Sequence, residues 1–236
     1  SCLMYDARPS HENSRLNAEK IHGPLLLPVY LPAVLLGVSA QAILILLPLY
    51  VLEVGGSLAA ASAAVGFRGL GMVALDIPAG MLAARIGDKR VMLLAIVLLG
   101  VAQIGFTMTQ DISLIWLIAF INGAGASSFL LGRMSFITAV CPPRSRGRVI
   151  AMLAGAMRGS ALVGPLAGAA IVEIAGYATA FYAALIASIL AFVVIAVFTH
   201  HETPPARDLK LRSVLKLSVE YRKVFSTAGV AAITFM

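Results

Sequence analysis

Four charged side chains interrupt otherwise apolar stretches of this chain: Arg68, Asp76, Arg133 and Arg158. An Arg or Asp at the middle of a membrane-spanning helix costs about 2.5–3.5 kcal/mol on insertion scales, so such groups face a bundle interior or a wet cavity and pair there. The chemistry open to them is ion pairing and proton or ion relay. Desolvation disfavours an ionised acid and a nearby arginine restores it. Asp76 is therefore the candidate titrating or ion-pairing acid, with Arg158 or Arg133 as its expected partner. For Arg68, Arg158 and Asp76 the alternative is a structural pair that locks helices together. Arg133 lies nearer the end of its apolar stretch, from where a long side chain can snorkel to the surface.

These charges need helices to hold them, and the composition says in what solvent. The chain has 236 residues, 60% hydrophobic and 12% charged, with mean hydropathy +0.93; soluble domains carry about 25% charged residues. About 20 apolar residues cross a bilayer core. Windows of that length run from Ile21 to Leu52, Leu58 to Ala84, Val91 to Gln110, Ile112 to Gly132, Val149 to Val172 and Ile174 to Thr199. Six spans are expected. A seventh apolar run, Val224 to Met236, has 13 residues and is too short to cross.

The cations fall on one side of this plan. Arg8, Arg15 and Lys20 precede the first span; Arg85, Lys89 and Arg90 follow the second; Arg144, Arg146 and Arg148 follow the fourth; six more lie between Arg207 and Lys223. The other connections contain no Lys or Arg. By the positive-inside rule the N-terminus and the linker after Thr199 are cytoplasmic. The net charge of +7 and pI near 9.8 then reflect cations at membrane edges facing anionic lipid, and no nucleic-acid site is expected. Cys2 and Cys141 form neither a disulfide framework nor a zinc site, so no metal or cofactor is expected. The first 23 residues are polar and of mixed charge, unlike a signal peptide. With no initiator Met and a seventh span begun, the chain reads as a fragment of a longer protein.

Small residues supply the packing logic. Gly155 with Gly159, and Gly164 with Gly168, lie four apart, which puts each pair on one helix face and permits close backbone approach. Pro165 removes one helical hydrogen bond and favours a bend. The second and fifth spans also echo each other, FRGLGMVALDIPAG from Phe67 and MRGSALVGPLAG from Met157. Two three-helix units of inverted topology would place Arg68 and Arg158 at matched depths on either side of the midplane. Gln41, Gln103 and Asn122 are placed either to line a path for a solute or to hydrogen-bond between helices.

The segment GMLAARIGDKR, Gly80 to Arg90, resembles the loop signature between the second and third spans of major facilitator superfamily transporters. Gly80, Arg85, Gly87, Lys89 and Arg90 match it, and Ala84 stands where the family usually has Asp. The stretch from Gly155 to Ala169 is similar to the family's fifth-span antiporter motif: Gly164, Pro165 and Gly168 match, while Ser160 and Ala169 replace glycines. The basic loop PPRSRGR also looks like the family's connection between spans four and five. Ala119 occupies a position where many members carry an arginine.

The resemblance implies an all-α membrane protein, six helices arranged as two inverted three-helix repeats and forming one half of the family's fold. The expected organisation is a cytoplasmic segment at 1–23, the bundle at 24–199, a linker at 200–223 and the start of a seventh helix at 224–236. It further implies proton-coupled export of a small organic solute by alternating access, in the cell membrane, with protons, lipid and the missing C-terminal six-helix half as partners. A transporter-like sensor or assembly partner is the alternative. Enzymatic activity is not expected: an intramembrane serine protease needs a membrane-embedded His, and all four histidines fall outside the spans or at their edges. A paired half-helix channel would need Asn-Pro-Ala turns, and the sequence has none.

Overall fold

The computed structural model describes residues 30–141 and 143–198. The segment 1–23, the linker and the run from Val224 lie outside them. Every regular element among the described residues is helical: α1 Leu31–Glu53, α2 Leu58–Ile86, α3 Asp88–Met108, α4 Ile112–Val140 and α5 Pro143–Phe198. Each is long and apolar enough to cross a membrane.

Local sequence sets the ends. Pro32 sits in the first turn of α1, where its missing N–H breaks no helical bond. The Ser57 hydroxyl accepts from the Ala60 N–H at 3.2 Å to cap α2, and the Asp111 carboxylate accepts from the Ser113 N–H at 2.8 Å to cap α4. Between α2 and α3 there is a single residue, Gly87, at φ 90° and ψ 154°, a region essentially reserved for glycine.

Gly176, at φ 81° and ψ 172°, breaks α5 in the same way. Its arms, 143–175 and 177–198, supply the fifth and sixth apolar segments, so five helices serve six spans. The backbone stays helical through Pro165, and the only non-helical residue inside α5 is Gly176. Losing one hydrogen bond leaves the helical path open, whereas a positive φ does not. Gly176→Ala is expected to cost about 1–3 kcal/mol, read as a lower midpoint of thermal unfolding in detergent. α4 also runs eight residues past the expected Gly132 to Val140, because the buried Arg133 lies inside the helix instead of marking its edge.

Non-sequential helices interlock. Gly164 and Gly168, on the first arm of α5, pack on Val38, Gln41, Ala42 and Leu46 of α1, while Gly71 of α2 meets the Phe120 carbonyl and Gly123 of α4 meets the Arg68 carbonyl. Both pairs run parallel, α1 with the first arm and α2 with α4. α3 packs antiparallel against the second arm, with Gly100 near Leu185 and the Lys89 ammonium donating to the Ala196 carbonyl at 3.1 Å. The swap of partners between the first three segments and the last three is the arrangement of two inverted repeats.

The core has two apolar layers. One, toward Tyr30, contains Leu36, Met92, Ile96, Phe129, Phe136, Leu153 and Ile195. The other, toward Tyr50, contains Ile43, Leu47, Phe106, Ile115 and Phe181, with Phe181 stacked on Phe106 at 5.1 Å and edge-on to Tyr50 at 5.3 Å. Tyrosine hydroxyls tie the ends: Tyr30 donates to the Val149 carbonyl at 3.3 Å and Tyr50 to the Thr109 carbonyl at 2.8 Å. Between the two layers lies a polar one.

Candidate functional site

Arg68, Gln103, Asn122 and Arg133 are buried charged or polar residues within the membrane-spanning segments. Together with Gln41 they line one cavity of about 300 Å³ whose remaining wall includes Leu36, Ile43, Leu99, Phe129, Leu130 and Met157. Four separate helices, α1 to α4, each contribute at least one polar group. Gln41, Gln103, Asn122, Arg68 and Arg133, which lie far apart in the sequence, thus meet at one cavity.

The contacts within it are specific. The Arg68 Nε–H donates to Asn122 Oδ1 at 3.0 Å. Gly123, next to Asn122, has no Cβ to hold the α2 backbone away, and that close approach sets the bond. Arg133 Nη2 donates to the Met157 sulfur at 3.2 Å, and its guanidinium lies 5.5 Å from the centre of the Phe129 ring. A thioether is a weak acceptor and a ring face attracts cations modestly. Arg133 Nε and Asn122 Nδ2 are buried without a partner. An unsatisfied buried donor costs about 1–3 kcal/mol, so each of these atoms is a donor that an acceptor in the cavity would satisfy. Arg133 does not snorkel: it is 2% exposed. Gln103 Oε1 accepts from the Ser188 hydroxyl at 3.0 Å, which is an interhelical bond as well as a position on the cavity wall.

Asp76 is elsewhere. It lies exposed on α2, outside the cavity lining, and accepts from the Ser127 hydroxyl of α4. No arginine among the described residues bonds it, so the expected pairing with Arg158 or Arg133 is not formed. Arg158 is exposed on the first arm of α5, and Arg133 is directed into the cavity toward Met157. Nor do Arg68 and Arg158 share an environment as matched members of a repeat. Arg68 is buried against α4, whereas Arg158 is exposed on the first arm of α5.

The glycine motifs divide in the same way. Gly164 and Gly168 form a seam against α1, with Pro165 between them, whereas Gly80, Gly155 and Gly159 have nothing within 4 Å of where a Cβ would sit. Ser160, in place of an expected glycine, is accommodated because it faces Gly37, and its hydroxyl donates to the Ala156 carbonyl at 3.0 Å. In the loop signature Gly87 makes the turn, Lys89 caps the second arm of α5, and Arg85 and Arg90 are exposed. Asp88, adjoining them, is buried in the first turn of α3, where the helix dipole favours a negative charge. Ala119 is fully buried in the apolar layer toward Tyr50.

Ser127, Ser188, Met157, Gly71 and Gly123 were not among the expected site residues. A signal for two of them exists: Gly123 and Ser127 lie four apart in the run NGAGASS, the spacing that puts both on the face of α4 that meets α2.

Residues 29–236 match the sequence model of the Major Facilitator Superfamily. Two uncharacterized MFS-type transporters of Mycobacterium tuberculosis are similar. Rv1250 is 29% identical over 127 residues, 52% of this chain and 22% of the relative. Rv1877 is 26% identical over 199 residues, 80% of this chain and 29% of the relative. Among solved structures, crystal structures of a mutant of the peptide transporter POT, in complex with sulfate and with alafosfalin, superpose with TM-score 0.70. They are 15% identical in sequence and cover 90% of this chain and 45% of that one. The chain thus spans less than a third of the length of these mycobacterial relatives and under half of the solved transporter.

Proposed function

Because the chain belongs to the major facilitator superfamily, we propose that it forms one six-helix bundle of a secondary active transporter that moves a small organic solute by alternating access. The observation that carries this is the cavity between the two apolar layers, where polar groups from four helices converge around about 300 Å³. That volume is at the small end of ligand sites.

A second six-helix bundle is the partner. Asp76 and Arg158 are exposed, and a charge left against lipid is costly. Gly80, one turn on from Asp76, presents an open small-residue position, which suits close approach of a further helix. Proton-coupled export is the finer reading. Its candidate acid is Asp76, which no arginine among the described residues bonds, and the fifth-span resemblance to antiporters agrees with it. The distribution of Lys and Arg supports a cytoplasmic N-terminus and a place in the cell membrane.

Counterflow tests the reading. Proteoliposomes containing both bundles and preloaded with members of a panel of small organic solutes are expected to accumulate the labelled form of the transported one above equilibrium. Saturable binding without exchange would instead make the protein a sensor or assembly partner.

A further inference from the structure

The cavity has donors in excess of acceptors. Arg68 and Arg133 bring two guanidiniums to it, 8% and 2% exposed, and its lining residues include neither Asp nor Glu. A guanidinium can only donate, so the bond from Arg68 fixes Asn122 with Oδ1 toward it and leaves Nδ2 as a donor. Asn122 Nδ2 and Arg133 Nε are buried and unpartnered. What Arg133 does contact is a thioether and a ring face. Water would satisfy the donors without balancing the charge, and a cation would add to the imbalance. An acceptor with a negative charge of its own answers both.

We propose that the solute held in this cavity carries an oxyanion, a carboxylate, sulfonate or phosphonate, bound between the Arg68–Asn122 pair and Arg133, with its apolar part against Leu36, Ile43, Leu99 and Phe129. The assignment rests on the reading of this cavity as the solute site. It names the charge of the solute and the groups that select it. Arg133 Nε and Asn122 Nδ2 each gain an acceptor, and paired guanidiniums form short, charge-assisted bonds.

The test uses the full protein that carries this bundle, in detergent free of anionic lipid, with three ligands sharing one ring: phenylphosphonate, benzyl alcohol and benzylammonium. Equilibrium dialysis of labelled phenylphosphonate is expected to show saturable binding that neither of the other two displaces at equal concentration. Arg133→Gln is expected to weaken it by about tenfold or more. Asn122→Asp keeps an acceptor for Arg68, and with it the α2–α4 contact, but places a fixed carboxylate in the site. It should weaken phenylphosphonate at least as much, while its thermal midpoint shows that the protein is folded. Equal binding of the three ligands, no saturable phenylphosphonate binding, or binding indifferent to Asn122→Asp would overturn the proposal. Displacement by phosphatidylglycerol but not by free benzenesulfonate would assign the site to a lipid headgroup and overturn it as a solute site. Phenylphosphonate binding without counterflow of any solute defeats the transport reading alone; counterflow of neutral or cationic solutes without anion binding defeats only this one.

Discussion

Gly123→Ala is expected to lower the thermal unfolding midpoint of the protein sharply, while Gly155→Ala leaves it unchanged or raises it. In a helix, alanine is favoured over glycine by about 0.5–1 kcal/mol, so both substitutions begin with the same gain. At Gly155 nothing lies within 4 Å of the new Cβ and the gain stands. At Gly123 the new methyl would overlap the Arg68 carbonyl and approach its Cα to 3.2 Å. Those are backbone atoms of α2 and have no rotamer to escape into. Overpacking of this kind costs about 1–3 kcal/mol, which exceeds the propensity gain. The damage also reaches the site, because pushing α2 off α4 stretches the 3.0 Å bond between Arg68 and Asn122. Gly71→Ala, against the Phe120 carbonyl, should behave like Gly123→Ala. Equal midpoints for the Gly123 and Gly155 variants would mean that the α2–α4 seam is not what holds the bundle.

How far the sequence disclosed this arrangement depended on which physical quantity each feature rests on. The spans rest on transfer of apolar side chains out of water, a property of composition over some 20 residues, so α2 begins at Leu58 and α4 at Ile112 as the windows predict. Gln41, Arg68, Gln103 and Asn122 were legible as candidates for the interior for a related reason, whereas Arg133, expected to snorkel, is drawn into the same cavity. A polar group in lipid is costly, yet Asp76 and Arg158, exposed on α2 and α5, show that cost alone does not turn a side chain inward. Partner choice was another matter. Asp76 bonds Ser127 instead of an arginine because the rotation of each helix about its axis, set by Gly71 on Phe120 and Gly123 on Arg68, decides which side chains meet, and no span count contains that rotation. The glycine pairs show the same limit. Four-residue spacing marks both Gly155–Gly159 and Gly164–Gly168 as possible seams, yet only the second has α1 against it. The first is equally well formed and faces outward.

The exposed position of Asp76 on α2 sharpens what it is expected to do. Asp76→Asn should reduce proton-coupled flux by roughly 100-fold or more, the usual scale for loss of a proton-transferring group, while the protein still reaches the membrane. Asparagine keeps the side-chain shape and an oxygen for the Ser127 hydroxyl to bond, so the α2–α4 contact survives and folding is not the cause of the loss. What disappears is the ability to exchange a proton. Solute-for-solute counterflow requires no net proton movement, because the bundle can cycle with the residue permanently neutral, so exchange should persist in the variant when an imposed pH gradient no longer drives accumulation. Ser127→Ala offers the complementary measurement. It removes the hydroxyl that holds the carboxylate and leaves the acid in place, so coupled flux should fall less than in Asp76→Asn. If pH-driven accumulation in Asp76→Asn vesicles matched the unsubstituted protein, the proton would have to be carried by another group, and the exposed Asp76 would be a contact for the second bundle instead of the coupling site.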